Sequence, residues 1–201
     1  MSVDRSKFYD AHEAARLRDS ARLWADADRA AGRRQGVVAW ALVDLALSTG
    51  LRRAELAAIR CGDVDLSRRG LSVRAVKGGR DRTVSLYDVA DHLGEFLDWK
   101  AGAGEPTQAG APLLRSIRGP FTPNGLARVW RQAVDRAGLP ALSIHGARRT
   151  FATLVASRGR LEVAKECLGH KDITTTARHY AGVTWDDMER GVKGLYERGG
   201  T

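Results

Sequence analysis

The longest apolar stretch of this 201-residue chain runs from Val37 to Leu47 and contains one charged residue, Asp44. A membrane-spanning helix needs about 20 apolar residues, so this stretch is too short to cross a bilayer. Its apolar side chains instead predict a helix over 35–48 that is buried in the core of a folded domain. Since no other apolar run is longer, we expect no membrane partner.

Helical patterns flank this core helix on both sides, and one short region alternates as strands do. We predict helices over 10–31, 87–100, 123–138 and 186–196. Residues 71–76 and 83–86 alternate across a glycine turn, which predicts a β-hairpin. Glycine and proline in 101–120 indicate a flexible connection. The predicted fold class is therefore α+β and mainly α, a helical bundle with a small antiparallel β-sheet at one edge.

The chain is strongly basic. Lys and Arg number 33 against 24 Asp and Glu, which gives a formal net charge of +9 and a pI near 10.1. Most of the positive residues are Arg, whose forked guanidinium suits phosphate oxygens. This balance favours a polyanionic partner, first of all nucleic acid, over a solvated basic surface without a partner. Cys61 and Cys167 stand apart and no signal peptide is seen, so we expect reduced thiols and a cytoplasmic protein.

Two cationic side chains stand at predicted turns. Arg52 follows the turn residue Gly50, where it either pairs with an acid such as Glu55 or is held towards a ligand. Lys77 lies in the hairpin turn, where it is either solvated or delivered to a phosphate by the two strands. By spacing alone the salt bridge is favoured for Arg52, and a solvated turn residue is the generic interpretation of Lys77.

The stretch from His145 to Tyr180 brings further functional groups together. His145 and Arg148 are three residues apart, so on a helix they share a face. His170 begins a loop after a predicted helix end at Gly169, and Tyr180 follows a Thr-rich run. Cationic donors around a hydroxyl nucleophile suit attack on a phosphodiester, where negative charge builds on the non-bridging oxygens.

With these motifs, the chain resembles the tyrosine recombinases, the family of phage integrases and related site-specific DNA recombinases, over about residues 35–185. Thr-Gly-Leu-Arg followed by Glu-Leu, then Lys-Gly-Gly-Arg, His-x-x-Arg and Leu-Gly-His occur in the family order. The resemblance implies six catalytic residues, namely Arg52, Lys77, His145, Arg148, His170 and Tyr180.

The resemblance also implies a role for each member of this set. Tyr180 attacks the scissile phosphate and forms a 3′-phosphotyrosyl link, for which its phenol, of pKa about 10 when free, must lose its proton. The two arginines clamp the non-bridging oxygens, and Lys77 protonates the departing 5′ oxygen. His145 assists proton transfer at the tyrosine, and His170 donates a hydrogen bond to the phosphate. No cofactor is implied, neither a metal nor ATP.

The organisation of the chain follows from the same resemblance. We expect an N-terminal helical extension over 1–34, the catalytic domain over 35–185, and a C-terminal helix or tail over 186–201. That tail either packs on its own domain or is exchanged between subunits. With one helix ahead of the catalytic domain, the chain resembles either the smaller single-domain members of the family or a truncated integrase. Double-stranded DNA is the expected partner, with a monomer or weak oligomer in its absence and a tetramer on synapsed sites.

Positive side chains next to the motifs are predicted to bind DNA, namely Arg53, Arg80, Arg82, Arg149 and Lys171. The alternative functions are a catalytically inactive or regulatory DNA-binding module of the same fold, a type IB topoisomerase, and a metal-dependent transposase or nuclease. The intact catalytic set disfavours the first, and the Leu-Gly-His context disfavours the second. The third needs converging acidic ligands, and the sequence has no metal-ligand spacing.

Overall fold

The computed structural model describes residues 7–76, 80–158, 161–168 and 184–196. Within them lie eight α-helices: α1 Ala11–Ala30, α2 Gln35–Thr49, α3 Arg53–Ala58, α4 Ala90–Gly102, α5 Pro123–Arg136, α6 Ile144–Ser157, α7 Leu161–Leu168 and α8 Trp185–Val192. The strands are β1 Val64–Asp65, β2 Gly70–Val73, β3 Arg82–Ser85, β4 Arg115–Ser116 and β5 Gly119–Pro120. The predicted fold class, mainly helical with small antiparallel sheets, is confirmed.

Helix α2 forms the centre of the core, as its apolar sequence predicted. Every residue from Gly36 to Thr49 is buried, because α1, α4, α5 and α6 all pack around it. Its one carboxylate, Asp44, accepts hydrogen bonds from Arg18 Nε at 2.7 Å and His92 Nδ1 at 2.8 Å, so the buried charge has partners. No helix in the described part of the chain is both long enough and apolar enough to cross a membrane.

The end of α2 is fixed by Gly50. This residue takes the left-handed conformation at φ 61°, which closes the helix at little cost for glycine. A Cβ at this position would lie 2.6 Å from Cδ1 of Phe151 on α6. The turn is therefore tight and closely packed, and it delivers Arg52 to the start of α3.

The N-terminal helix α1 joins the same core. An Asp10–Glu13 capping box opens it, and Leu17 and Trp24 are buried against α2. Ahead of it, the Tyr9 amide donates to Thr150 Oγ1 on α6 at 2.8 Å. The observed bounds agree with the predicted helix over 10–31, whereas the division of the chain at residues 34 and 185 stays a prediction.

Strands β1, β2 and β3 form one antiparallel sheet, and β2 and β3 are the predicted hairpin. The segment 101–120 differs from the flexible connection that we expected. Leu113 and Leu114 are buried, the Leu113 amide donates to Ile59 O at 2.9 Å, and β4 and β5 form a second small sheet. That prediction is wrong. The glycines and prolines of this segment are typical of a loosely packed linker, but Leu113 and Leu114 pack it into the core.

The C-terminal segment packs on its own domain in this single chain. Val192, Leu195 and Tyr196 are buried, and the Tyr196 hydroxyl donates to Leu47 O on α2 at 2.6 Å. Asp88 accepts from the backbone amides of residues 194 and 195 at 2.9 and 3.0 Å. Of the two alternatives for this tail, packing within the chain is the arrangement seen here, and exchange between subunits stays a prediction.

Candidate active site

A cleft of about 780 Å³ opens between the turn after α2, helix α5 and the start of α6. Its arginine and histidine lining residues are Arg52, Arg53, Arg131, His145 and Arg148, and we call this cavity the basic cleft. Trp130 and Ile144 are among the apolar residues of its wall. Three of the predicted catalytic residues therefore face one cavity, although 93 residues separate Arg52 from His145 in the chain.

Arg52 stands at the mouth of this cleft as the N-cap residue of α3. Its backbone amide donates to Glu55 Oε2 at 2.8 Å, and its Nη1 lies 3.3 Å from Glu55 Oε1. The side chain keeps 41% exposure. Both sequence alternatives hold in part, because the guanidinium has one long contact to an acid and otherwise remains open to a ligand.

Arg148 lies deeper, on α6. Its Nη1 donates to Gly50 O at 2.8 Å and its Nη2 to Leu168 O at 2.8 Å. Burial, followed by the nearby charge of Arg52, lowers the pKa of Arg148 to about 10, which still leaves it protonated at neutral pH. These contacts use two of its five N–H donors, and the residue lines the cleft. Arg148 also ties the turn after α2 to the end of α7.

His145 is placed in the first turn of α6 because the helix begins at Ile144 after the N-cap residue Ser143. His145 is exposed at the surface, but partial desolvation of its ring lowers its pKa, and the positive charges of Arg149, Arg148 and Arg52 lower it further. The imidazole is therefore neutral at neutral pH and able to accept a proton.

One of the predicted DNA-binding residues, Arg82, is buried inside the protein. Its side chain is 2% exposed, its Nη1 and Nη2 lie 3.0 Å from the two oxygens of Glu55, and its Nε donates to Cys167 O at 2.8 Å. The prediction that Arg82 binds DNA is wrong because its guanidinium is turned into the protein and satisfied there. Burial alone would raise the pKa of Glu55, but hydrogen bonds from Arg82 and Arg52 and their charges bring it below its usual value.

The other predicted residues fall into two groups. Arg53 and Arg149 are exposed and form no ion pair with a described residue, and Arg53 lines the cleft. Arg80 forms an ion pair with Glu166 on α7. The remaining predicted site residues lie outside the described residues, namely Lys77, His170, Lys171 and Tyr180. Helix α7 is described as far as Leu168, and the helix end expected at Gly169 lies outside the described residues.

Sequence reasoning missed Arg131. This residue is exposed on α5 and lines the basic cleft, yet its motif is an ordinary amphipathic helix with no family signature. Only the packing of α5 beside α3 shows that its polar face borders the same cavity as Arg52. Among the described residues, no group of three His, Cys, Asp or Glu side chains is arranged to hold a metal ion.

Comparison with known proteins gives consistent results. The profile of the phage integrase family matches residues 16–185. Tyrosine recombinase XerC of Xylella fastidiosa is 36% identical over 139 residues, which cover 68% of this chain and 46% of that protein. XerC of Bifidobacterium longum subsp. infantis is 30% identical over 188 residues, which cover 89% of this chain and 50% of that protein. The chain thus spans about half the length of these curated relatives.

Solved structures agree on the fold. XerA recombinase superimposes with a TM-score of 0.68 at 26% identity, covering 94% of this chain and 62% of that one. The lambda integrase catalytic core superimposes with a TM-score of 0.56 at 19% identity, covering 82% of this chain and 96% of that one, and shows the fold alone. Because the family profile spans most of the sequence and its motif residues Arg52, His145 and Arg148 meet in one cleft, this chain belongs to the phage integrase family, the tyrosine recombinases.

Proposed function

We propose that this protein is a site-specific DNA recombinase that cuts and rejoins DNA through a 3′-phosphotyrosyl intermediate. The observation that carries the proposal is the basic cleft, in which Arg52, Arg148 and His145 face one cavity. Two guanidinium groups and an imidazole around one hollow fit a phosphodiester whose non-bridging oxygens gain negative charge during attack.

The proposed chemistry assigns each proton and bond. The Tyr180 oxygen attacks phosphorus, the bond from phosphorus to the 5′ oxygen breaks, and a 3′-phosphotyrosine and a free 5′ hydroxyl result. His145, with its lowered pKa, receives the phenolic proton, and Lys77 supplies a proton to the 5′ oxygen. Arg52 and Arg148 bind the non-bridging oxygens, and His170 adds a hydrogen bond to the phosphate.

Double-stranded DNA is the proposed partner, held first by charge. Arg53, Arg131 and Arg149 are exposed and form no ion pair with a described residue, so all three are available to phosphates beside the cleft. Arg80 joins this surface if DNA displaces Glu166 from it, and Lys171 is proposed from its place in the sequence. Arg82 is left out of the set because it is buried.

The proposed assembly is a tetramer on two synapsed DNA sites, with a monomer or weak oligomer in the absence of DNA. Two solved structures with this fold are a XerH site-specific recombinase bound to its difH substrate and a lambda integrase tetramer bound to a Holliday junction. A cytoplasmic location is part of the proposal, because the proposed substrate is DNA.

Covalent capture tests the proposal. A DNA substrate with a nick next to the scissile phosphate loses its short 5′-hydroxyl fragment on cleavage, so the covalent complex accumulates. We expect a denaturation-resistant protein–DNA adduct whose modified peptide carries the phosphate on Tyr180, formed equally well after chelation of metal ions. Tyr180→Phe is the matched control, because it removes only the nucleophilic oxygen and should bind DNA without forming the adduct. An adduct formed by the Phe variant, or mapped to another residue, refutes the assignment.

A further inference from the structure

The carboxylate of Glu55 lies between two arginines that hold it unequally. Arg82 covers both oxygens through two contacts of 3.0 Å. Arg52 reaches the same carboxylate with its backbone amide at 2.8 Å, but its guanidinium makes only one contact, at 3.3 Å. The buried arginine therefore takes the bidentate position, and the arginine of the cleft is left on the outside.

Arg82 is itself fixed in place. It begins strand β3 opposite Val73, its side chain is buried, and its Nε donates to Cys167 O at the end of α7. If this guanidinium turned towards solvent, the buried carboxylate of Glu55 would lose its bidentate cation and the Cys167 carbonyl would lose its donor. Arg52 has no such restraint, since 41% of its side chain is exposed.

We propose that Arg82 is a positioning residue for the recombination reaction: by covering both oxygens of Glu55, it keeps that carboxylate from capturing the Arg52 guanidinium. This inference rests on the proposed function, in which Arg52 binds the scissile phosphate. Without Arg82, the buried carboxylate has one cation within reach. Arg52 then rotates into the bidentate position, since an unpaired buried charge is costly, and it leaves the cleft.

Single-turnover cleavage of the nicked substrate at saturating DNA tests this idea, because the rate constant and the amplitude are measured separately. A purely structural loss lowers the folded fraction and hence the amplitude, whereas misplacement of Arg52 lowers the rate constant of the folded molecules. For Arg82→Met we expect the rate constant to fall by at least about tenfold, the order expected when one charge stabiliser of the transition state is weakened.

A second variant isolates the charge of Glu55. In the double variant Glu55→Gln with Arg82→Met, the neutral amide no longer captures Arg52, so the rate constant should recover most of the loss. Arg82→Lys, which retains the charge but cannot fork over two oxygens, should be intermediate, and it serves if the Met variant does not fold. The matched control is Arg18→Met, which removes an arginine from another buried carboxylate, Asp44, between α1 and α2. It should lose stability and keep the wild-type rate constant.

The position of Arg52 gives a readout that does not depend on activity. A crystal structure of the Arg82→Met protein should place both Nη atoms of Arg52 on Glu55, and an Arg52 that stays at one long contact overturns the inference. A wild-type rate constant in Arg82→Met overturns it too, as does a double variant that is as slow as the single one. If the wild-type protein forms no adduct while Arg52 moves as expected, the proposed function fails and the positioning effect stands.

Discussion

Substitution of Gly50 by Ala tests the packing of the turn that carries Arg52. The left-handed conformation at φ 61° costs a non-glycine residue about 1–2 kcal/mol. The added Cβ would also lie 2.6 Å from Phe151 Cδ1 and 3.1 Å from Leu168 Cδ2, and forcing an extra carbon into a packed core costs about 1–3 kcal/mol more. The two effects together predict a loss of about 2–5 kcal/mol in the free energy of unfolding.

Urea denaturation followed by circular dichroism measures that loss directly, and the melting temperature should fall by roughly 4–20 °C for a chain of this size. Gly32→Ala is the matched control, because Gly32 has a φ of 64° and no atom within 4 Å of its added Cβ. It should lose only the conformational part, about 1–2 kcal/mol. If the two alanine variants are equally destabilised, the close approach of Phe151 does not constrain the turn, and the reasoning that it positions Arg52 fails.

Three further predictions concern the basic cleft. Arg148→Ala should slow adduct formation by about 10²–10³-fold in single-turnover assays, with folding checked by thermal melting, because it removes a stabilising charge from the transition state. The cleavage rate should rise with pH through a midpoint below 6.5, since the pKa of His145 is lowered and its neutral form accepts the proton; the rate–pH profile of His145→Gln should lack that rise. Arg131→Gln should weaken binding to all DNA sequences alike and reduce the salt slope of log affinity by about 1, measured by fluorescence anisotropy; an unchanged slope removes Arg131 from the DNA surface.

Elements whose cause is local could be predicted from the sequence. Helix α2 is apolar on nearly every side, so its burial follows from composition alone. The start of α5 follows from Thr122, whose hydroxyl accepts from the Gly125 amide at 3.1 Å, and from Pro123 in the first turn. In both cases the signal lies within a few residues of the structure it specifies.

Features that depend on distant contacts could not be predicted in the same way. Leu113 is buried, and its backbone amide donates to the carbonyl of Ile59, which lies 54 residues earlier in the chain. No local sequence pattern predicts that contact. The sequence around Arg82 resembles a solvated basic turn, since Arg80 and Asp81 precede it. Its true partner is Glu55, 27 residues away, and only the assembled sheet brings the two together.

The buried arginines therefore differ in the groups that bind their guanidinium: some face a carboxylate and others face neutral carbonyls. The net charge of the chain does not reveal that difference. Arg82 is compensated by a buried carboxylate, and Arg18 by another. Arg148 is buried as well, but its hydrogen-bond partners are the neutral carbonyls of Gly50 and Leu168, and the neighbouring charge of Arg52 lowers its pKa. A buried cation that meets carbonyls on one side and a second cation on the other is under-compensated, and an anion that enters the cleft supplies the missing charge. The fold holds this charge in place without a ligand, and under the proposed function this is the preorganisation that electrostatic stabilisation of a phosphoryl transition state requires.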